Sequence, residues 1–513
     1  MEESKRAAVV GLAVVALAVA ILAGCGGSEK TGDAKRVLRI GLSAGPASLD
    51  PTKDGTNVYM AVRALTNESL LHMKPDGSFA PALAIKWRYI GSGNKDFELT
   101  LRQNARFSDG TPVTAQAVKG WLDYFNNANA VTASFMGKLE SVEAVGKWTV
   151  RLHLADSNPV VPAVLSDQNN WAAVSSPKAV ANPSILGSRT VGAGPYVLDP
   201  AQSVAGDHYT LVPNKHYYDK SAIRFSKVEA KVITTPSSML QAAKSGQLDV
   251  AVGDPTTADA AGSALHVVQG PTNTWILTMY PSGVVSKPLA DTRVRQALNY
   301  ALDRKAIAEA IVGKFGAAAS EIPSADGFDA ESANLYPYDP AKAKSLLAAA
   351  GYPQGFTAEV LVQGVNGNLG MPLVQAMAKY LTAVGVKLKF VNTTSQPQFV
   401  QKLTTNKTLP LIQAGLVPSR SMWLQYALYL KEKSIYNSIG SWSDPVIDRA
   451  WLEGSKSSDP SPYWTRISQR ATQQAYFLPI LSNDALYFVS KDVKGVVLTD
   501  KRQNPVATEW AFK

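Results

Sequence analysis

The chain has 513 residues, a single cysteine, 46% hydrophobic residues and a formal net charge of +10. One cysteine excludes an intrachain disulfide framework and a thiolate metal site, and the length is too great for one core, which implies two or three lobes. The 51 Lys and Arg residues are scattered rather than clustered, so the charge reads as a solvated basic surface favouring anionic surfaces or ligands, without the stripe that nucleic-acid binding needs.

The first recognisable stretch is an uncharged run, Ala7 to Gly24, behind Lys5 and Arg6 and ending in Leu22-Ala23-Gly24-Cys25. A basic start, an apolar run and small residues before a cut site are the parts of an export signal. Leu-Ala-Gly-Cys resembles the lipobox of bacterial lipoproteins. The resemblance implies cleavage before Cys25, a lipid on its thiol, and a body held on the extracytoplasmic face of the cell membrane. An uncleaved spanning helix is the competing reading, with the same topology. Residues 25–35, with Gly26, Gly27, Ser28 and Gly32, have the composition of a flexible tether.

The body opens with VLRIGL, a short alternating strand over 36–42, stopped by Gly45-Pro46. A helix is expected from Val58 to Leu71, a turn at Pro75-Asp76-Gly77 and a strand from Phe97 to Arg102. Asp109-Gly110 makes a tight turn. Thr114 is a good N-cap for a helix whose apolar face is Val118, Trp121, Leu122 and Phe125. Asp291 and Asp339 are N-caps of later helices, Pro340 fills a first helical position, and Gly351 ends the second of them. Alternating strands and helices throughout indicate an α/β protein.

The run from Leu101 to Val118, L-R-x-x-x-x-F-x-D-G-x-P-x-T-A-x-x-V, resembles the family 5 solute-binding proteins of bacterial ABC importers, the dipeptide-, oligopeptide- and nickel-binding type. Ser48-Leu49-Asp50-Pro51, Gly192-Ala-Gly194-Pro195-Tyr196, Asn214-x-x-Tyr217, Gly246-x-x-Asp249, the segment from Asp291 to Leu298 and that from Tyr338 to Tyr352 follow in the family's order. The resemblance implies a type II periplasmic-binding-protein fold, with two lobes around a ligand cleft and an extra subdomain on the first. The implied division is signal 1–24, tether 25–35, lobe I 36–76, extra subdomain 77–186, lobe I again 187–281, lobe II 282–477, and a return to lobe I over 478–513. The chain would cross between lobes near Met279 to Ser286, where Pro281 and Gly283 interrupt a strand, and back near Leu478 to Ser482.

By the same resemblance four segments line the cleft. They carry Thr56 and Asn57; Asn170 and Trp171; Asn273, Thr274 and Trp275; and Ser419, Arg420, Met422 and Trp423. Aromatic walls with a few polar groups suit a closing pocket, and an arginine offers a planar fork for a carboxylate or phosphate. In peptide binders of the family the fourth segment carries an acid for the ligand's ammonium. Here it reads Ala414 to Trp423 with Arg420 and no acid, which favours a solute bearing a carboxylate or other acceptor, or a neutral polar one.

Enzyme readings are weaker. Gly41-Leu-Ser43-Ala-Gly45 fits a nucleophile elbow, but that needs a helix at once, and Pro46 and Pro51 follow. Gly364 to Gly370 lacks the Lys-Ser/Thr ending of a phosphate loop. The five histidines show no metal-ligand spacing. The sequence therefore reads as a non-enzymatic receptor with no cofactor and no metal. Its expected partners are a small peptide-like, anionic or polar solute, permease and ATPase subunits, and the membrane through Cys25, with no nucleic acid; it is expected to be a monomer. A serine hydrolase using Ser43 and a structural or signalling lipoprotein on the same scaffold are the alternatives.

Overall fold

A computed structural model describes residues 36–53, 59–128, 131–284, 286–322, 326–362, 369–393, 398–399, 401–402, 411–416, 421–434, 436–437 and 442–513. The export signal, Cys25 and the tether lie outside these residues, as do Thr56, Asn57, Ser419 and Arg420. Residues Val37–Lys513 form one compact unit. Among the described residues no helix is long and apolar enough to cross a membrane.

The organising element is an 11-stranded mixed sheet. Its first-lobe half centres on Leu38–Leu42, parallel to Val228–Val232 on one side and to Val250–Val252 on the other. His208–Pro213 and Tyr196–Leu198 extend it by antiparallel pairing. Its second-lobe half contains Phe356–Val362 between the parallel neighbours Val386–Asn392 and Leu411–Leu416. Two long antiparallel strands, His266–Met279 and Phe477–Val489, join the halves. Leu411–Leu416 pairs with the first from Thr274 onward, and Val250–Val252 pairs with the second only from Tyr487 to Val489. The passage between halves thus lies inside the strands, around the register break at Pro271–Asn273 and its partners Asn483 and Asp484. Pro281 and Gly283 come after the strand has ended; they mark its stop and not the crossing.

A separate four-stranded antiparallel sheet, ordered Ala84–Ile90, Asp96–Leu101, Thr149–Leu154, Leu139–Val145, carries the helix Ala115–Asn126. That helix begins as its sequence dictates. The Thr114 hydroxyl accepts from the Ala117 N–H, and Val118, Trp121, Leu122 and Phe125 are fully buried. The expected helix from Val58 is shorter, Met60–Thr66, and Leu71–Met73 is a strand.

Other motif residues prove to be joints. A Cβ on Gly192 or Gly194 would sit 2.4 Å from the carbonyl oxygen of Thr66 or Leu65, so only glycine lets this return segment lie against the helix end. The Asn214 amide donates to the Gly194 carbonyl at 2.8 Å. Asp249 accepts the Arg39 N–H at 2.8 Å, tying two parallel strands. Arg295 and Arg304 are buried, and their guanidinium groups donate to the carbonyls of Gln474 and Pro479 beside the returning strand. Burial pushes both down to about 10, which leaves them charged at neutral pH.

Candidate functional site

After Leu38–Leu42 the chain runs in bends and turns over residues 43–53. No helix follows Ser43, so the strand-turn-helix of a hydrolase elbow is not formed. Asp50, fully buried, anchors the loop: it accepts from the Tyr124 hydroxyl at 2.9 Å and from the Thr52 hydroxyl at 2.8 Å. The first candidate segment thus leaves from a point fixed to the helix of the four-stranded unit.

The second segment is fixed to the same point. The Asn169 side chain caps the turn Asn170–Ala172. The buried Asn170 amide donates to the Pro51 carbonyl at 3.1 Å, and its oxygen accepts from Arg63. The Trp171 indole N–H donates to the Thr132 carbonyl at 2.8 Å, and its ring lies 4.6 Å from that of Phe125.

In the third segment, Thr274 and Trp275 are buried and Asn273 is half-buried. The Trp275 indole donates to the Asn483 side-chain oxygen at 2.8 Å, bridging the two crossing strands at the register break. In the fourth, the Met422 N–H donates to Asp326 at 2.8 Å, and the Trp423 indole donates to the Ser157 carbonyl at 3.0 Å. Trp171, Met422 and Trp423 belong to one continuous apolar cluster, whereas Trp275 belongs to the core of the second lobe.

Of the seven described candidates, then, Asn273 alone is not buried. Each of the three indole N–H groups is committed to an acceptor within the protein. The three tryptophans pack into the protein's interior, and Asn273 is the half-buried polar candidate.

Asn483 and Asp484 join the candidates, because they lie opposite Asn273 and Pro271 at the register break. Their signal was present: Ser482-Asn483-Asp484 interrupts an otherwise apolar strand, Phe477–Val489. Asp484 lies opposite Pro271. Burial raises its carboxyl above the usual range. Among the described residues no group of three or more His, Cys, Asp or Glu is placed to hold a metal ion. His72, His153 and His208 each bond an acid instead.

Residues 78–434 match the family "Bacterial extracellular solute-binding proteins, family 5 Middle". The chain is 27% identical over 358 residues to the glutathione-binding protein GsiB of Salmonella typhimurium, covering 68% of each. It is 28% identical over 327 residues to the probable D,D-dipeptide-binding periplasmic protein DdpA of Escherichia coli K12, covering 61% of this chain and 62% of that one. Its fold is similar to that of AgaA from A. tumefacien R10, solved in complex with agropinic acid, with a TM-score of 0.80 at 22% identity over 93% of this chain and 99% of that one. It is likewise similar to a dipeptide-binding protein from Pseudoalteromonas sp. SM9913, solved with Met-Leu, with a TM-score of 0.77 at 19% identity over 93% and 100%. The fold is thus the type II periplasmic-binding-protein fold. Proteins of this family bind small peptides or other solutes outside the cytoplasm and work with ABC permeases. The chain belongs to the bacterial extracellular solute-binding proteins, family 5, the substrate receptors of ABC importers, and is not an enzyme.

Proposed function

We propose that this receptor is tethered to the extracytoplasmic face of the cell membrane by a lipid on Cys25 and captures an amino-acid-derived acid by closing its two lobes. The observation that supports the reading best is the sheet itself. Its halves are joined through two strands, both of which break register or meet polar residues at the crossing. Such a joint lets two rigid bodies rotate about a short segment. The extra-subdomain division given by the sequence is kept as part of this proposal, and the lobe boundaries are moved to the register break at Pro271–Asn273 and its partners Asn483 and Asp484. Glutathione, Met-Leu and agropinic acid, named for the similar proteins, are all carboxylic acids. On this reading Arg420 receives the solute carboxylate, and Asn273, with the loops bearing Thr56, Asn57 and Ser419, supplies the remaining polar contacts. Asp484 offers an anion to a cationic nitrogen, so a zwitterionic solute suits the crossing better than a purely anionic one. The closed form then docks on permease subunits with their ATPases, the solute stabilising that form by differential contact.

Native mass spectrometry of the chain beginning at Ser28 tests this. A co-purifying small acid, lost on Arg420→Ala, is the expected result. A preparation that carries no solute, and gains none from a mixture of glutathione and Met-Leu, refutes the solute class. Cys25→Ser tests the anchor: the protein should move from the membrane fraction to the soluble exported fraction.

A further inference from the structure

The indole of Trp423 crosses from one body to another. It follows the second-lobe strand Leu411–Leu416, yet its N–H donates to the Ser157 carbonyl at the end of the four-stranded sheet, 266 residues away. That sheet is tied to the first lobe through Asp50–Tyr124 and Asn170–Pro51. Two further bonds follow the same line. The Asn94 amide donates to the Ser455 carbonyl at 3.0 Å, and the Lys431 ammonium lies 3.4 Å from Asp156.

Both sides of this contact are braced without each other. On the receiving side, the Tyr89 hydroxyl donates to the Asn158 carbonyl at 2.6 Å, and the Asn158 amide donates to the Met136 carbonyl at 2.8 Å. These bonds hold the loop that bears Ser157. Gly137, at a φ of +73°, leaves the space the indole fills; a Cβ there would lie 3.2 Å from the far edge of the ring. On the donating side, the Trp451 indole donates to the Trp423 carbonyl at 3.3 Å, and Trp451 stacks on Tyr426 with ring centres 4.7 Å apart. Two preformed surfaces lose little freedom on meeting.

We infer that Trp423 is a closure-positioning residue, the hook of a catch formed by Ser157, Gly137, Asn94 and Asp156, which holds the lobes together without touching the solute. The inference rests on the reading of the chain as a receptor that closes, and it adds that the closed form is populated before solute arrives. Solute then binds a partly preselected state, and release requires the catch to be opened.

The chain beginning at Ser28 contains no cysteine, so spin labels introduced by Glu140→Cys and Lys379→Cys, exposed on the two bodies, report their separation by pulsed electron resonance. Solute is first removed by unfolding and refolding in guanidinium. The parent should show a dominant short distance in the absence of solute. Trp423→Phe keeps a ring and removes the donor, and Asn94→Gly removes a peripheral bond at a residue whose φ of +53° glycine tolerates. Each should raise the open-to-closed ratio roughly fivefold, the effect of one lost hydrogen bond, with a urea unfolding midpoint for Asn94→Gly close to the parent's. A solute-free parent that is wholly open, or variants with the parent's distance distribution, overturn the catch. Neither outcome depends on which solute is bound, whereas failure of the receptor reading itself appears as no solute by mass spectrometry.

Discussion

His72 bonds two acids at once. Its Nδ1 is 2.5 Å from Asp167 and its Nε2 is 3.0 Å from Glu509, which also receives the fully buried Arg502 guanidinium at 2.6 and 2.7 Å. The cluster locks the C-terminal segment against the strand Leu71–Met73, whose Met73 carbonyl accepts from Arg502 at 3.1 Å. Burial on its own would lower the imidazole pKa, but the bonds to Asp167 and Glu509 overcome it and raise His72 to about 9. Burial would raise Glu509, and the bonds from His72 and Arg502 instead hold it at about 2. The His72–Glu509 contact contributes to both shifts, so the two are not added. The folded pKa of His72 exceeds its ordinary 6.5, so its contribution is complete below pH 6.5, declines from 6.5 to 9, and is gone above that. The rise from 6.5 to about 9, at about 1.4 kcal/mol per pH unit and reduced for a ring one-quarter exposed, amounts to about 2–3 kcal/mol. Urea unfolding of the parent and of His72→Gln at pH 6 and pH 9.5 measures it. The difference in unfolding free energy between the two proteins should be about 2–3 kcal/mol at pH 6 and close to zero at pH 9.5. An equal difference at both pH values would refute the ion-pair account and leave only packing.

Asp484 gives the opposite sign. Its carboxyl is raised by burial, so ionisation costs stability as pH rises above the ordinary carboxyl pKa, the cost being complete above the folded one; Asp484→Asn should raise the urea midpoint at pH 7 and have no effect near pH 3. The same change should weaken retention of the solute, a stability gain bought with function. Gly194→Ala should cost about 2–3 kcal/mol, since its Cβ would meet the Leu65 carbonyl oxygen at 2.4 Å and neither backbone has room to yield; an unchanged urea midpoint would show that the return segment is less tightly held than its geometry indicates.

Local chemistry made the elements legible. Thr114, Asp291 and Asp339 cap the helices they appear to cap, each side chain accepting a backbone N–H one turn in. Gly351 ends its helix at a φ of +89°. What failed was non-local. The run Leu38–Leu42 alternates in sequence but is buried on both faces, because parallel strands flank it and Gly41 lies under the Met239 sulfur; a short apolar strand does not declare how many neighbours it has. The tryptophans stood out as site residues, but their acceptors did not. Thr132 is 39 residues from Trp171, Asn483 is 208 from Trp275, and Ser157 is 266 from Trp423. Two of those acceptors are backbone carbonyls, which any residue type supplies, so no side-chain pattern marks them.

That distribution of hydrogen bonds bears on how the receptor selects. An indole that donates inside the protein offers the solute no polar contact, and a buried one offers it no open face. On the proposed reading, discrimination falls to Asn273 and Asp484 at the register break and to the candidate residues Thr56, Asn57, Ser419 and Arg420. The buried indoles in turn set how easily the lobes meet. If internal contacts such as Trp423–Ser157 carry part of the closing free energy, the solute has less to supply, and its apparent affinity rises in proportion to the closed fraction already present. One scaffold can then serve solutes as different as Met-Leu and agropinic acid, named for two proteins of similar fold, because closure on this reading is common to them.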